Sequence, residues 1–310
     1  MNPHAEPNSP KARSLAFGYW CGIIMALGAA VSFAAARAGV LAGLAPDDMI
    51  WARYFVAGLV MLPPLIWWGA KDLAGIGWAR GIALCVCGGI PFALLQTGGY
   101  AFAPLAHGAV IAPSTVTIIS TIAAALLLGE TLTRSHVAGA VLVLFGIMMI
   151  GWQGIAGHAT GATTWIGDLL FFLSSVLWAI FTVLIRKWRA DAIRATAVIA
   201  VLSLVIFTPL YPLYRGIDHI AALPLWPLLF QGVVQGVVQS VLTTMAYNRS
   251  VAILGVSRAV LFPALVPALS VLIGIPAVGE IPNVMQIAGL ATVSAGMIVA
   301  VGLLRRKARA

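Results

Sequence analysis

The chain has 310 residues, of which 61% are hydrophobic and 9% are charged, with a formal net charge of +9. A soluble domain carries about 25% charged residues, so this composition excludes a water-soluble enzyme, a disordered chain and a fibrous one. A membrane β-barrel is excluded as well: its strands would alternate apolar and polar, whereas runs such as Ile118 to Leu128 are apolar throughout. What remains is a polytopic helical membrane protein.

Residues 1–14, with Lys11 and Arg13, read as a polar tail. About 20 apolar residues cross a bilayer as a helix. Ten such runs follow, near 16–37, 49–68, 79–101, 105–128, 135–152, 165–186, 193–214, 224–247, 254–275 and 284–304. The first is too long and too soon followed by Arg37 to be a cleaved signal peptide. Residues 153–164 form a linker and 305–310 a basic tail.

Lys and Arg set the orientation. Of the 18, all but Arg37, Arg53 and Arg215 fall on the side of the two termini when alternate loops are counted. The positive-inside rule then predicts both termini in the cytoplasm and a multi-pass protein of the cell (inner) membrane. The cations are scattered between apolar runs, with no basic stripe, so no nucleic-acid partner is expected. Trp51, Trp152, Trp165 and Trp226 mark one interface and Trp20, Trp67, Trp68, Trp78 and Trp188 the other. Cys21, Cys85 and Cys87 lie inside apolar runs and lack the spacing and partners of a zinc site. No metal and no cofactor is expected.

The two halves repeat. Gly129-Glu130, Ala138-Gly139 and Gly146 recur 150 residues later as Gly279-Glu280, Ala288-Gly289 and Gly296. Pro113 and Pro263 keep the same offset; Thr97, Tyr100 and Gly108 recur after 147 as Thr244, Tyr247 and Gly255. Gly18 and Arg37 recur after 149 as Gly167 and Arg186. The units are 15–152 and 165–304, five spans each. Five is odd, so the second unit enters the membrane from the opposite side. The expected fold is therefore all-α, ten transmembrane helices in two inverted five-helix repeats, a transporter architecture with its site near the midplane.

The motifs LLLGETLT and PAVGEIPN, each followed by AG-x6-G, resemble those of the drug/metabolite transporter superfamily, and more closely its EamA-type ten-helix exporters. The second copy departs in reading Ala-Val-Gly-Glu after Pro276. Size and aromatic content are similar to the aromatic amino-acid exporter type. The resemblance implies export of amino acids and related metabolites.

Polar groups inside a bilayer are costly and usually face a cavity or another helix. Gln231, Gln235 and Gln239 recur every four residues on the eighth span, followed by Thr243 and Tyr247; the third span carries Gln96, Thr97 and Tyr100. Amides can meet either end of a zwitterion. Gln96, Tyr100, Gln235, Gln239, Thr243 and Tyr247 are thus predicted to line a central cavity, with Trp178 as floor or wall. The competing role for each is interhelical hydrogen bonding, and for Trp178 and Phe33 a packed aromatic core. Glu130 and Glu280 sit at span ends and read as capping or ion-pairing groups. His107, His136, His158 and His219 read as loop or interface residues, and Asp168 and Arg37 as lining an outer vestibule. With all nine acids in tails, loops or span ends, the sequence predicts passive transport of neutral or zwitterionic solutes by alternating access. A non-alternating channel is the alternative. An intramembrane enzyme is disfavoured, since the sequence holds no H-E-x-x-H and no G-x-S-x-G.

Overall fold

The computed structural model describes residues 10–128, 133–155, 163–259 and 261–300. Glu6, Glu130, His158 and the basic tail lie outside the described residues. Among the described residues there is no β-strand, and long helices follow one another in ten steps. They are α1 (Pro10–Leu41), α2 (Pro46–Gly69), α3 (Trp78–Gly99), α4 (Leu105–Leu128) and α5 (Arg134–Ile155), then α6 (Thr164–Trp188), α7 (Ala192–Arg215), α8 (Leu225–Leu254), α9 (Leu261–Val278) and α10 (Val284–Ala300). Seven are long and apolar enough to cross a membrane over their described residues; Leu105–Ile119, Arg134–Ile150 and Val284–Ala300 are shorter apolar stretches. A backbone in hydrocarbon must satisfy its own polar groups, and a continuous apolar run does so as a helix.

Two boundaries differ from expectation. Helix α1 starts at Pro10, so Lys11 and Arg13 belong to its first turns rather than to a tail. Helix α8 runs on to Leu254, and the ninth span begins only at Leu261. Gly255, at φ +78°, ends α8 in a conformation that side chains with a Cβ resist.

The packing obeys the repeat. Under the exchange of each helix with the one five places on, α1 against α9 becomes α6 against α4, and α1 against α8 becomes α6 against α3; all four contacts are present. The pairs α2 with α7, α4 with α9 and α5 with α10 map onto themselves, and they too are present. Where α5 crosses α10 the symmetry is visible atom by atom. A Cβ on Gly146 would stand 2.8 Å from the Gly289 carbonyl oxygen and 2.6 Å from Val293 Cγ2. On its repeat mate Gly296 a Cβ would stand 2.9 Å from the Gly139 carbonyl oxygen and 2.9 Å from Val143 Cγ2, the same neighbours 150 residues earlier. Each contact has its mirror, the mark of a two-fold relation. Since each half crosses the membrane five times, the axis lies in the membrane plane.

Small residues make these approaches possible, and in lipid such packing is the main attraction between helices. Gly18 faces Ile253 and Leu254 on α8, and its repeat mate Gly167 faces Gly99 at the end of α3 and Ala103 in the turn after it. The largest buried cluster joins α2, α3 and α7 through Ile50, Tyr54, Leu84, Cys85, Val198 and Phe207.

Candidate functional site

Helices α3 and α8 are both irregular, at matching places. Helix α3 is two pieces, Trp78–Gly88 and Ile90–Gly99, joined at Gly89. The Gly89 N–H closes the first piece on the Cys85 carbonyl at 2.8 Å; the Ala93 N–H opens the second on the Gly89 carbonyl at 3.0 Å. Pro91, lacking an N–H, fits the first turn after the break. In α8 the residues Gly232–Thr243 wind as a π-helix. Its wider turn brings residues five apart together: Ser240 Oγ donates to the Gln235 carbonyl at 2.9 Å, and Thr243 Oγ1 to that of Val238 at 2.8 Å. The offset of 147 lays Gly89 on Gly236, inside this stretch. Interrupted helices at corresponding positions of two inverted halves are the usual pointer to a transporter's site, and π-stretches concentrate at functional positions.

Around α3, the side chains of Gln96 and Tyr100 turn toward α6. Gln96 is buried and its Oε1 accepts from Ser174 Oγ at 2.8 Å; its Nε2 is buried without a partner. Tyr100 is fully buried, its ring 4.9 Å from that of Phe171, and its hydroxyl has no acceptor. Ser114 on α4, beside Pro113, adds another buried hydroxyl without a partner.

Around α8 the side chains turn toward α1. Gln231 Nε2 donates to the Ala35 carbonyl at 2.6 Å and Gln235 Nε2 to that of Ser32 at 2.7 Å. Thr243 fits against Gly28. Gln239 is half-buried, with a buried Oε1 that nothing meets. Tyr247 and Phe33 are half-buried against a cluster of Met25, Ala29, Ala246, Phe262 and Val266. Trp178 is half-buried beside the α3 break, its ring 4.7 Å from Phe92 and 4.8 Å from Phe181.

The structure thus groups Gln96 with Tyr100 at the α3–α6 interface, and Gln235 with Thr243 at the α1–α8 interface. Trp178 stands by Phe92. Two clefts are formed by described residues, one of about 210 Å³ between Leu105, Val271, Glu280 and Gln286, and one of about 260 Å³ between Thr117, His136, Val143 and Ala300. Neither touches the predicted stripe. The π-winding is one reason, since it turns the glutamines off the common face that ordinary helical spacing implies. The other is the low dielectric, in which a free amide N–H seeks the nearest carbonyl.

Several polar groups do more than the sequence suggested. At the end of the bundle that is poor in Lys and Arg, hydrogen bonds tie four helices into one junction. Arg37 Nε, on α1, donates to Glu280 Oε1 at 2.6 Å, and Arg37 Nη1 to the Tyr100 carbonyl at 2.5 Å; Glu280 Oε2 takes the Leu105 N–H at 2.7 Å. Asp48 is buried and accepts from the Ala45 N–H at 2.8 Å, from the Tyr211 hydroxyl and from His219 Nε2 at 3.0 Å. His107 is a correction to the sequence reading. It lies within the first turn of α4, only 1% exposed, with Nδ1 2.8 Å from Asp168 Oδ1. The one signal available for the junction was the repeat, which pairs Arg37 with Arg186 and Glu280 with Glu130.

Comparison with known proteins places these features in a wider set. The EamA-like transporter family matches twice, over residues 16–152 and 165–302. A relative described as an uncharacterized transporter, YyaM of Bacillus subtilis (strain 168), is 26% identical over 195 residues, 61% of this chain and 62% of that protein. The chain therefore spans less than two thirds of that relative's length. A solved crystal structure of a protein has the same fold, with a TM-score of 0.63 at 20% identity over 96% of this chain and 99% of that one.

Proposed function

The chain belongs to the EamA-like transporter family, and we propose that it exports small neutral or zwitterionic metabolites, amino acids with aromatic and other side chains among them, by alternating access. It is a multi-pass membrane protein. We place it in the cell membrane with both termini cytoplasmic, on the strength of the Lys and Arg asymmetry.

The observation that carries the reading is the pair of matched helix interruptions with unsatisfied polar groups beside them. Gln96 Nε2, Ser114 Oγ and Gln239 Oε1 are buried and without partners. Leaving such groups unpaired is unfavourable by about 1–3 kcal/mol each, so a solute that supplies their partners is favoured. The three include donors and an acceptor, which suits a solute carrying both. Trp178 with Phe92 offers an apolar wall for a side chain. The junction of Arg37, Glu280, Tyr100 and Leu105 supports alternation over an open channel, because it ties four helices together at one end by bonds that a cycle can break and remake. No catalytic constellation is needed for such a cycle, and the reading is of a carrier rather than an enzyme.

Counterflow in proteoliposomes tests this. Labelled phenylalanine, tryptophan, leucine and alanine should accumulate against an internal pool of the same solute, and uridine and glucose should not. Uptake of uridine or glucose with no amino-acid counterflow would overturn the substrate class. A cysteine at one depth reacting equally fast from both sides would overturn alternation.

A further inference from the structure

The cation-poor end carries three arginines, and two of them meet carboxylates. Arg37 pairs with Glu280 at 2.6 Å, and Arg215 clasps Asp47 with both Nε and Nη2 at 2.6 Å. Arg53 has no such partner among the described residues: neither an ion pair nor a hydrogen bond reaches its guanidinium. Its Nε is buried with nothing to accept from it. The guanidinium lies over the ring of Tyr54, 5.4 Å from the centroid. Sequence counting treats Arg53 as an end charge, but the structure sets it two turns inside α2, partly buried in the bundle. The nearest acid in sequence, Asp48, is saturated by Ala45, Tyr211 and His219.

An unpaired cation inside a membrane protein is costly and marks a solute path more often than a packing role. A purely structural arginine near a span end carries its whole head to the interface; here Nε stays buried and the guanidinium lies over Tyr54. Its repeat mates carry no charge, for residues 200–203 of α7 are Ala, Val, Leu and Ser.

The surroundings are those of the candidate site. Gly236, in the π-stretch of α8, packs on the Arg53 backbone so closely that a Cβ there would stand 2.8 Å from the Arg53 carbonyl oxygen. Tyr54 shares a buried cluster with Cys85, one turn before the α3 break. Its hydroxyl, like Arg53 Nε, is buried without a partner. On α2, then, two adjacent donors lack an acceptor. On α8, flanking Gly236, the Gln231 and Gln239 Oε1 atoms are acceptors lacking a donor. A carboxylate complements the first set and an ammonium the second.

We propose that Arg53, with Tyr54 beside it, is the subsite for the carboxylate of the transported solute, which makes carboxylate-bearing metabolites the substrate class. The assignment rests on the transporter reading above and deepens it. It does not require the solute to be an amino acid.

Ligand-induced thermal shift on the purified protein, with counterflow in proteoliposomes, tests it. The probes are phenylalanine, leucine, 3-phenylpropionate, phenylalaninamide and phenethylamine. Wild type should favour the carboxylates over the amide and the amine by about tenfold or more. Arg53→Gln should erase that preference while leaving the amide unchanged, and Arg53→Lys should keep part of it. Without solute, Arg53→Gln and Arg53→Met should melt at or above the wild-type temperature, because an unpaired charge is removed; a structural arginine would give the reverse. Binding of 3-phenylpropionate without phenylalanine, lost in Arg53→Gln, would uphold this subsite and refute the amino-acid reading. Carboxylate preference that survives Arg53→Gln would overturn the subsite and leave the amino-acid reading standing. A wild type that prefers the amide, or responds to no carboxylate, would overturn it outright.

Discussion

Changing Glu280 to Gln keeps the side chain's shape and removes its charge. The carboxylate takes two charge-assisted hydrogen bonds, from Arg37 Nε at 2.6 Å and from the Leu105 N–H at 2.7 Å. Bonds to charged groups contribute about 1.5–3 kcal/mol and neutral ones about 0.5–1.5 kcal/mol. A Gln oxygen accepts one of the two as a neutral bond, while its NH2 faces a donor, so the loss is about 2–3 kcal/mol. Arg37 and Glu280 are only 16% and 26% exposed, so water does not screen the pair away. The junction spans α1, α3, α4 and the end of α9, and we expect the loss to fall on the conformation closed at this end. The closed-to-open ratio then drops by roughly 30- to 160-fold. The assay places a single cysteine at Ala106, 8% exposed and lining the same cleft as Glu280. Cys21, Cys85 and Cys87 are replaced, and an impermeant maleimide is added from the cation-poor side. Its reaction rate should rise by a similar factor in Glu280→Gln. A lower melting temperature with an unchanged maleimide rate would refute the argument, for the pair would then only hold helices together.

Other consequences are as direct. Gly146→Val and Gly296→Val should each cost about 1–3 kcal/mol or more by forcing α5 from α10, and by about equal amounts because the two positions are repeat mates with matching neighbours; thermal melts in detergent will read both, and a cost confined to one of them would break the symmetry argument. Gln235→Leu should lower stability by about 0.6–2 kcal/mol through its lost bond to Ser32, whereas Gln239→Leu should leave the melt unchanged and slow counterflow, and the reverse order would exchange their roles. Reporter fusions at residues 158 and 310 should report opposite sides of the membrane; the same side for both would mean a wrong span count.

The ten helices and the duplication were legible because both are written in long-period patterns. An apolar run of 20 residues has one solution in lipid, and offsets of 147–150 survive small length changes. The boundary between α8 and α9 was not, since apolar composition continues through Gly255 and only its backbone marks the turn. The π-stretch was hidden for a related reason: nothing in Gly232–Thr243 forbids ordinary helix, and the neighbours decide. That stretch in turn decides which glutamines bridge to α1. Nearness to a span end hid the burial of Arg53 and of His107. A helix end inside a bundle can be as dry as its middle, and burial there depends on which helices close over it. The Arg37–Glu280 pair lies 243 residues apart, and the sequence recorded it only as two conserved offsets within one chain.

The contacts that map onto themselves carry a mechanical consequence. Reversal of an inverted-repeat carrier amounts to each half taking the shape the other had. The α1–α9 and α4–α6 contacts, or α1–α8 and α3–α6, can trade geometries in such a swap, one loosening as its counterpart tightens. A contact that is its own counterpart has nothing to trade with. The Gly146–Gly289 and Gly139–Gly296 crossings of α5 and α10 are each other's counterparts on either side of the axis, and together they make one contact that maps onto itself. They form a fulcrum: the place where backbone presses on backbone is also the place that a stroke in either direction leaves still.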